Sequence, residues 1–218
     1  MFNTAVIPEL GPGRGMQKLF GEPLLKYTID ALKESKFVDE IVVWSKHSPT
    51  LEFAHKNDCR PFVGNPGKSW ETVRQVAEVD ANNGKHIDFY FETHFAYPFL
   101  RSSTLYQTYN TCIANGFDGV LVVSEIDNKI WRLGKGETPV RLAKDIPPGK
   151  ATQDLYQDHY GLANVYRQDF AMKLKGSPYQ GDLGVWISDD DKECFCVNSD
   201  FSLSIAENIL GRKNNDFE

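Results

Sequence analysis

The chain has 218 residues, with 24 Lys and Arg against 30 Asp and Glu and a formal net charge of −6 at pH 7. Its 41% hydrophobic and 25% charged fractions belong to a folded globular protein and exclude a disordered one. The acidic balance argues against a general nucleic-acid binder, which needs a basic face, and no apolar run reaches the roughly 20 residues that a membrane helix needs.

Residues 4–7 (TAVI) read as a short apolar strand closed by Pro8. A strand there, in place of a basic start and a long apolar stretch, gives no leader pattern, so a soluble, cytoplasmic protein is expected. Residues 9–21 are a loop carrying Gly11, Gly13, Gly15, Gly21 and Pro12. Helical spacing over residues 22–35 puts Leu24, Leu25, Tyr27, Thr28, Ala31 and Leu32 on one face. Residues 40–45 (EIVVWS) form a near-continuous apolar strand, as in a sheet covered on both faces. A short helix over 49–57, a strand at 60–63, a turn at 64–67 and a helix over 69–81 lead to a buried strand at 87–92.

A helix over 102–114, with Ser102 or Ser103 as its N-cap, precedes a buried strand at 119–124 (GVLVVS). Residues 129–142 alternate around Gly134-Lys135-Gly136 as a β-hairpin. Irregular chain at 145–150 gives way to strands at 161–166 and 184–187 and a closing helix over 199–210, and the polar tail 211–218 reads as frayed. Cys194 and Cys196 fall in an apparent strand, where side chains two apart share a face. No second cysteine pair completes a soft-ligand set, so half-buried thiols in a reducing compartment are the simpler reading. His47, His55 and His86 show no metal-ligand spacing.

Strands alternate with helices through about the first 125 residues. The pattern predicts one domain over 1–218: a Rossmann-like, mostly parallel sheet with helices on both faces. Residues 128–160 would project from it as a hairpin able to contact a second subunit. Ligands in such sheets bind at the carboxyl ends of the strands. The loops after Ile7, Ser45, Glu92 and Ser124 should therefore share one rim.

The glycine loop lies between a strand and a helix, and such a loop can cradle phosphate. Glycine lets the backbone come close and turn its N–H groups inward. Arg14 and Lys18 reach phosphate oxygens as charged donors. The candidate nucleotide contacts are Leu10, Gly11, Gly13, Arg14, Gly15 and Lys18. The spacing fits neither the Walker A motif nor the dinucleotide fingerprint, and a plain strand-to-helix connection is the alternative reading of the loop alone.

The run AVIP, a basic glycine-rich loop, Lys18 and residues 21–31 (GEPLLKYTIDA) resembles the cytidylyltransferases that activate acidic sugars, the CMP-sialic acid and CMP-Kdo synthetase relatives. The likeness continues at residues 39–43 (DEIVV), at the turn 98–102 (PFLRS) and at Ile205-Ala206-Glu207 in the closing helix. It covers nearly the whole chain in scattered form. It implies a homodimer reached through the hairpin region, and a place in surface-polysaccharide synthesis. It also implies a reaction. A hydroxyl of a sialic acid-, legionaminic acid- or Kdo-like sugar attacks the α-phosphorus of CTP, pyrophosphate leaves, and Mg²⁺ neutralises developing charge. Arg14 and Lys18 would serve catalysis at the triphosphate. Two alternatives stay open. One is an impaired homologue that binds a nucleotide or nucleotide sugar without turnover. The other is a same-fold nucleotidyltransferase with another nucleotide or a phosphonate or phosphate acceptor.

The family loop reads like P-A-R-G-G-S-K-G-I-P-x-K-N. Here Glu9-Leu10 stand at the Ala-Arg pair, Gly13 at the serine and Leu19 at the asparagine. A carboxylate about 4 Å from a phosphate charge costs roughly 4 kcal/mol at an effective dielectric near 20. Glu9 must therefore turn away, be screened or pair with Arg14. Ser69, after residues 64–68 (GNPGK), is either a nucleotide contact or an N-cap. Glu92 and Arg101 on the expected rim are candidate substrate contacts, each with a structural alternative. Residues 160–166 (YGLANVY) resemble the family's sugar-contacting strand, with Tyr160 at the usual asparagine, and add Tyr160 and Asn164 to the substrate set. The family's Asp-x-Asp before the closing helix is replaced by Cys196 and Asn198. Asn198 and Asp200 are left as candidate Mg²⁺ ligands, with a helix-capping or first-turn role as the alternative for Asp200.

Overall fold

The computed structural model describes residues 1–11, 13–125, 131–132, 140–141, 156–159 and 161–215. In chain order it begins with strand β1 (Asn3–Pro8), the small hairpin β2 (Lys18–Leu19) and β3 (Glu22–Pro23), helix α1 (Leu24–Glu34) and strand β4 (Glu40–Ser45). Helix α2 (Ser48–Lys56), β5 (Arg60–Val63), α3 (Ser69–Asn82) and β6 (Phe89–Glu92) follow. Then come α4 (Ser102–Asn115), β7 (Gly119–Glu125), β8 (Trp131–Arg132) and β9 (Val140–Arg141). The chain continues through β10 (Tyr156–Asp158), β11 (Asn164–Arg167), α5 (Gln168–Ala171), β12 (Leu183–Ser188) and α6 (Asp200–Asn215).

Among the described residues eight strands make the main sheet. β1 lies at its centre, parallel to β4 on one side and to β6 on the other, and β5 extends the β4 edge in parallel. Beyond β6 the antiparallel β11 leads to β7, which carries the parallel strand β12. The short β10 also runs antiparallel to β7, at residues 123–125. The sheet is thus mostly parallel with two antiparallel insertions.

All six residues of β1 are buried, because both faces of the sheet are covered. Alternate side chains feed two separate cores. Ala5 and Ile7 join Phe91 and Val122 with α1 and α4 on one face. Val6 joins Trp70, Tyr90 and Tyr166 with α3 on the other. Burying one such aliphatic chain contributes about 1.5–3 kcal/mol. The carboxyl ends of β1, β4, β6 and β7 face the same way, so the loops after them share a rim as the alternation of elements predicts.

Several local expectations are corrected. The helix expected from residue 22 begins at Leu24, because residues 18–23 first make a tight hairpin with Phe20 and Gly21 at φ 48 and 83. The strand expected at 161–166 starts at Asn164, behind a left-handed Gly161 at φ 72. Cys194 and Cys196 lie in a turn and in unpaired chain, not in a strand. That stretch is tied down by Val197 N–H donating to the Ala96 carbonyl at 2.7 Å. Of the tail expected to fray, residues 211–215 continue α6. Leu203 and Leu210 pack on the core, and Gly211 lies against the Phe20 ring. The hairpin around residue 134 is represented by the antiparallel pair β8 and β9, while its turn and its projection lie outside the described residues.

Candidate functional site

The loop after β1 is built around Glu9. The glutamate is buried and its carboxylate turns into the protein. Oε1 accepts from Gly15 N–H and from Thr50 Oγ1, each at 3.0 Å, and Oε2 accepts from the Ser45 hydroxyl. Thr50 in turn accepts from His47 Nδ1 at 2.9 Å, and His47 N–H donates to Ser45 Oγ at 2.8 Å. Of the three outcomes left open for Glu9, the chain adopts the first: its charge is directed away from the rim. The anion fixes the loop from below instead of repelling a ligand above it.

Gly11 and Gly13 take left-handed φ values of 110 and 76, which turn the loop tightly ahead of a 3-10 turn at Arg14–Met16. Gly15 is buried, and a Cβ there would lie 3.2 Å from Glu9 Oε1. The amides of Arg14, Gly15 and Met16 are used internally. Those of Leu10, Gly11 and Gly13 have no partner among the described residues and remain as donors for a ligand oxygen. Arg14 is exposed, with its side chain against Gly11, and Lys18 is exposed on β2.

Arg14 also reaches across to the chain before α6, where its Nη1 donates to the Asn198 carbonyl at 2.9 Å. Asn198 and Ser199 N–H both donate to Ser202 Oγ at 2.9 Å, and Ser202 N–H returns to Ser199 Oγ at 3.2 Å. Ser199 therefore caps α6, and Asp200 is the acid of its first turn. Among the described residues no three His, Cys, Asp or Glu side chains converge as a metal cage. Asn198 gives its backbone carbonyl to Arg14 and has only a neutral side-chain amide to offer a cation, and burial pushes the neighbouring Cys196 thiol up, with the Tyr97 hydroxyl opposing it. One exposed carboxylate and a neutral thiol do not fit a hard divalent cation. Among the described residues Asn198 and Asp200 do not by themselves make an all-protein cage for Mg²⁺.

At the end of β6 the Glu92 side chain is fully buried. Its Oε2 accepts from Tyr166 OH at 2.6 Å and from Asn164 Nδ2 at 3.2 Å, and Asn164 Oδ1 accepts from Val122 N–H at 2.9 Å. Burial raises the Glu92 carboxyl, and the Ser69, Tyr166 and Asn164 groups oppose the rise. Ser69 is the first residue of α3, with Lys68 at the cap position, so its expected N-cap alternative is not adopted. Its buried hydroxyl faces Glu92 without closing a well-formed bond. Gly161 completes this corner: a Cβ there would lie 3.2 Å from Ser69 Oγ and 3.8 Å from Glu92 Cγ. His94 Nδ1 accepts from Ala96 N–H at 3.1 Å, and burial pushes its imidazole down to about 4. Ser69, Glu92 and Asn164 thus come together as a closed polar network on the α3 side of the sheet.

Arg101 stands apart. Its guanidinium pairs with Asp190, and its N–H donates to Glu193 Oε1 at 2.8 Å, while Thr104 Oγ1 donates to Glu193 Oε2 at 2.8 Å. The buried Glu193 carboxylate therefore caps α4, in place of the expected Ser102 or Ser103. Tyr160 lies outside the described residues.

Three rim groups were not singled out as site residues from the sequence. The Ser124 hydroxyl at the end of β7 lies 2.6 Å from His159 Nε2. The Tyr97 ring meets the His159 ring edge-on at 6.4 Å between centroids. Burial lowers the His159 imidazole against the opposing pull of Asp158. The sequence signals were that Ser124 ends a rim strand and that Asp158-His159 stand just before Tyr160, a pair that marks an altered sugar pocket without giving His159 a role.

A family profile described as cytidylyltransferase matches residues 12–169. No curated protein matches the sequence. Among solved structures, a 4-diphosphocytidyl-2C-methyl-D-erythritol synthase from Anaerococcus prevotii is similar at TM-score 0.73 and 12% identity, covering 96% of each chain. A CMP:2-keto-3-deoxy-manno-octonic acid synthetase complexed with CTP is similar at TM-score 0.72 and 13% identity, over 98% of this chain and 100% of the other. A second 4-diphosphocytidyl-2C-methyl-D-erythritol synthase gives TM-score 0.71 and 16% identity, over 96% and 100%. Likeness at these identities establishes the nucleotidyltransferase fold. No described helix is long and apolar enough to cross a membrane.

Proposed function

The chain belongs to the cytidylyltransferase family, and from that premise we propose that it transfers CMP from CTP to an acidic sugar, releasing pyrophosphate. The observation that carries this reading is the loop of residues 9–18: among the described residues the Leu10, Gly11 and Gly13 amides have no partner, Arg14 is exposed beside Gly11, Lys18 is exposed on β2, and the Glu9 carboxylate turns inward.

In this reading the Leu10, Gly11 and Gly13 amides hold phosphate oxygens of CTP. Arg14 and Lys18 stabilise charge as it moves onto the leaving pyrophosphate. Because Arg14 is held to the Asn198 carbonyl, its guanidinium is placed before the nucleotide arrives. Glu92, Asn164 and Ser69, buried in their closed network, support from below the surface on which base and sugar would lie. The acceptor is taken as an acid of the 2-keto-3-deoxy type, named for one structural neighbour. A homodimer formed through residues 128–160 belongs to the same proposal.

The replacement of the family's Asp-x-Asp by Cys196 and Asn198 favours one second reading, a relative that binds nucleotide without turnover. A thermal-shift panel of CTP, CMP and other nucleotides, with and without Mg²⁺, paired with a pyrophosphate-release assay on a panel of acidic sugars, separates the two. Selective stabilisation by CTP together with pyrophosphate release supports the transferase. Stabilisation with no release on any acceptor supports the binding protein. No shift with any nucleotide overturns both.

A further inference from the structure

The Ser124–His159 pair has the chemistry of a proton acceptor, and nothing in the nucleotide site uses it. It stands at the carboxyl end of β7, on the rim that carries the phosphate loop. A chain of contacts joins the two places. Arg14 holds the Asn198 backbone carbonyl, Val197 N–H holds the Ala96 carbonyl, and the ring of Tyr97, next in the chain after Ala96, abuts His159. His159 is buried, with its backbone N–H donating to the Val122 carbonyl at 3.0 Å, so the ring is fixed against β7. Ser124 is less buried than His159 and lies one residue from the carboxyl end of β7.

We infer that Ser124 and His159 form a relay that takes the proton from a hydroxyl acceptor as it attacks CTP. This deepens the transferase reading and rests on it. The acceptor hydroxyl gives its proton to Ser124 Oγ while Ser124 passes its own to His159 Nε2. The electron pair freed on the acceptor oxygen forms the bond to the α-phosphorus of CTP. The bond from that phosphorus to pyrophosphate breaks, and its electron pair leaves on pyrophosphate. The imidazolium then returns its proton to water. Ser124 is the group that touches the substrate, and His159 acts through it. The neutral imidazole that burial favours is the form able to accept.

The relay also bears on acceptor class. A phosphate acceptor arrives already ionised and needs no base, whereas a sugar hydroxyl does. A buried imidazole bonded to a rim hydroxyl is therefore a feature of use to a hydroxyl acceptor only.

The test compares the unsubstituted chain with His159→Gln, Ser124→Ala and Ser124→Thr. CTP is the donor, and 2-keto-3-deoxy-manno-octonic acid and N-acetylneuraminic acid are the acceptors. Gln keeps a polar partner for Ser124 but cannot take a proton. His159→Gln and Ser124→Ala are expected to lower kcat by about 10²-fold or more, with KM for CTP and the CTP-induced shift in Tm retained. Ser124→Thr, which keeps the hydroxyl, should recover most of the loss. A His159→Gln chain with undiminished kcat overturns the relay and leaves the transferase standing. Loss of the CTP shift together with kcat also overturns it, by assigning His159 a structural role. An unsubstituted chain that releases no pyrophosphate with either acid overturns the relay and the acidic-sugar reading beneath it.

Discussion

Arg14 Nη1 donates to the Asn198 carbonyl at 2.9 Å, joining the glycine loop after β1 to the chain that enters α6, 184 positions later. The contact holds a cation over the loop amides and fixes the direction in which α6 leaves the rim. The charged donor is exposed, so its loss should cost the fold little.

Arg14→Ala is expected to lower stability by about 1 kcal/mol, the net worth of one such hydrogen bond. It should also abolish the CTP-induced rise in Tm. Lys18→Ala removes an exposed charge from β2 and should leave the free protein's Tm unchanged while abolishing the same rise. Differential scanning fluorimetry with and without CTP reads both. A full CTP shift in both variants would rule out the phosphate loop.

Glu9→Gln tests whether the inward carboxylate organises the loop. Glu9 accepts from the Gly15 amide and from two hydroxyls, Ser45 and Thr50. A glutamine amide has only one oxygen, so its NH₂ must confront at least one of those donors. Leaving buried groups unmatched costs about 1–3 kcal/mol, and urea unfolding should show a loss of that size. The CTP shift should shrink as well, because Gly15 would lose its anchor. If the variant is as stable as the parent, Glu9 is not the fulcrum of the loop.

The sheet was legible in the sequence, because β1, β4, β6 and β7 are apolar runs set between amphipathic helices. The loop was legible as well, because its glycines and basic residues fall in one short span. Contacts that join distant positions were not. Glu9 looked like a liability while its partners Ser45 and Thr50 lay 36 and 41 positions away. Glu193 gave no sign that it caps α4 from 89 positions beyond Thr104. The Ser124–His159 pair spans 35 positions and the antiparallel reversal at β10, which nothing in the local pattern marked.

Gly15→Ala should separate steric from conformational glycine requirements. Gly15 shows no positive φ, yet a Cβ there would meet Glu9 Oε1 at 3.2 Å and Leu25 Cβ at 3.5 Å. Gly84 has φ 71 and open space around the Cβ position. Gly84→Ala should therefore cost about 1 kcal/mol of backbone strain and leave CTP binding intact. Gly15→Ala should displace the Glu9 carboxylate and weaken CTP binding, read as a smaller thermal shift at fixed CTP. Equal CTP shifts in the two variants would refute the steric role.

His94 gives stability a defined dependence on pH. Its folded value is pushed down to about 4 by burial, below the ordinary value of 6.5. Above pH 6.5 the ring is neutral in both folded and unfolded chains and contributes no pH dependence. As pH falls from 6.5 toward 4 the unfolded chain binds a proton that the folded chain refuses, and stability drops. The full difference corresponds to about 3 kcal/mol, an upper bound for a ring that is only partly buried. Glu92 works in the opposite sense: its raised carboxyl takes up a proton in the folded state earlier than in the unfolded chain, which offsets part of the fall. His94→Asn keeps an acceptor for the Ala96 N–H but cannot titrate. Urea unfolding at pH 7.0, 5.5 and 4.5, conditions chosen to span roughly that window, should show a shallower loss in the variant than in the parent. Parallel losses would mean that another group governs the acid limb.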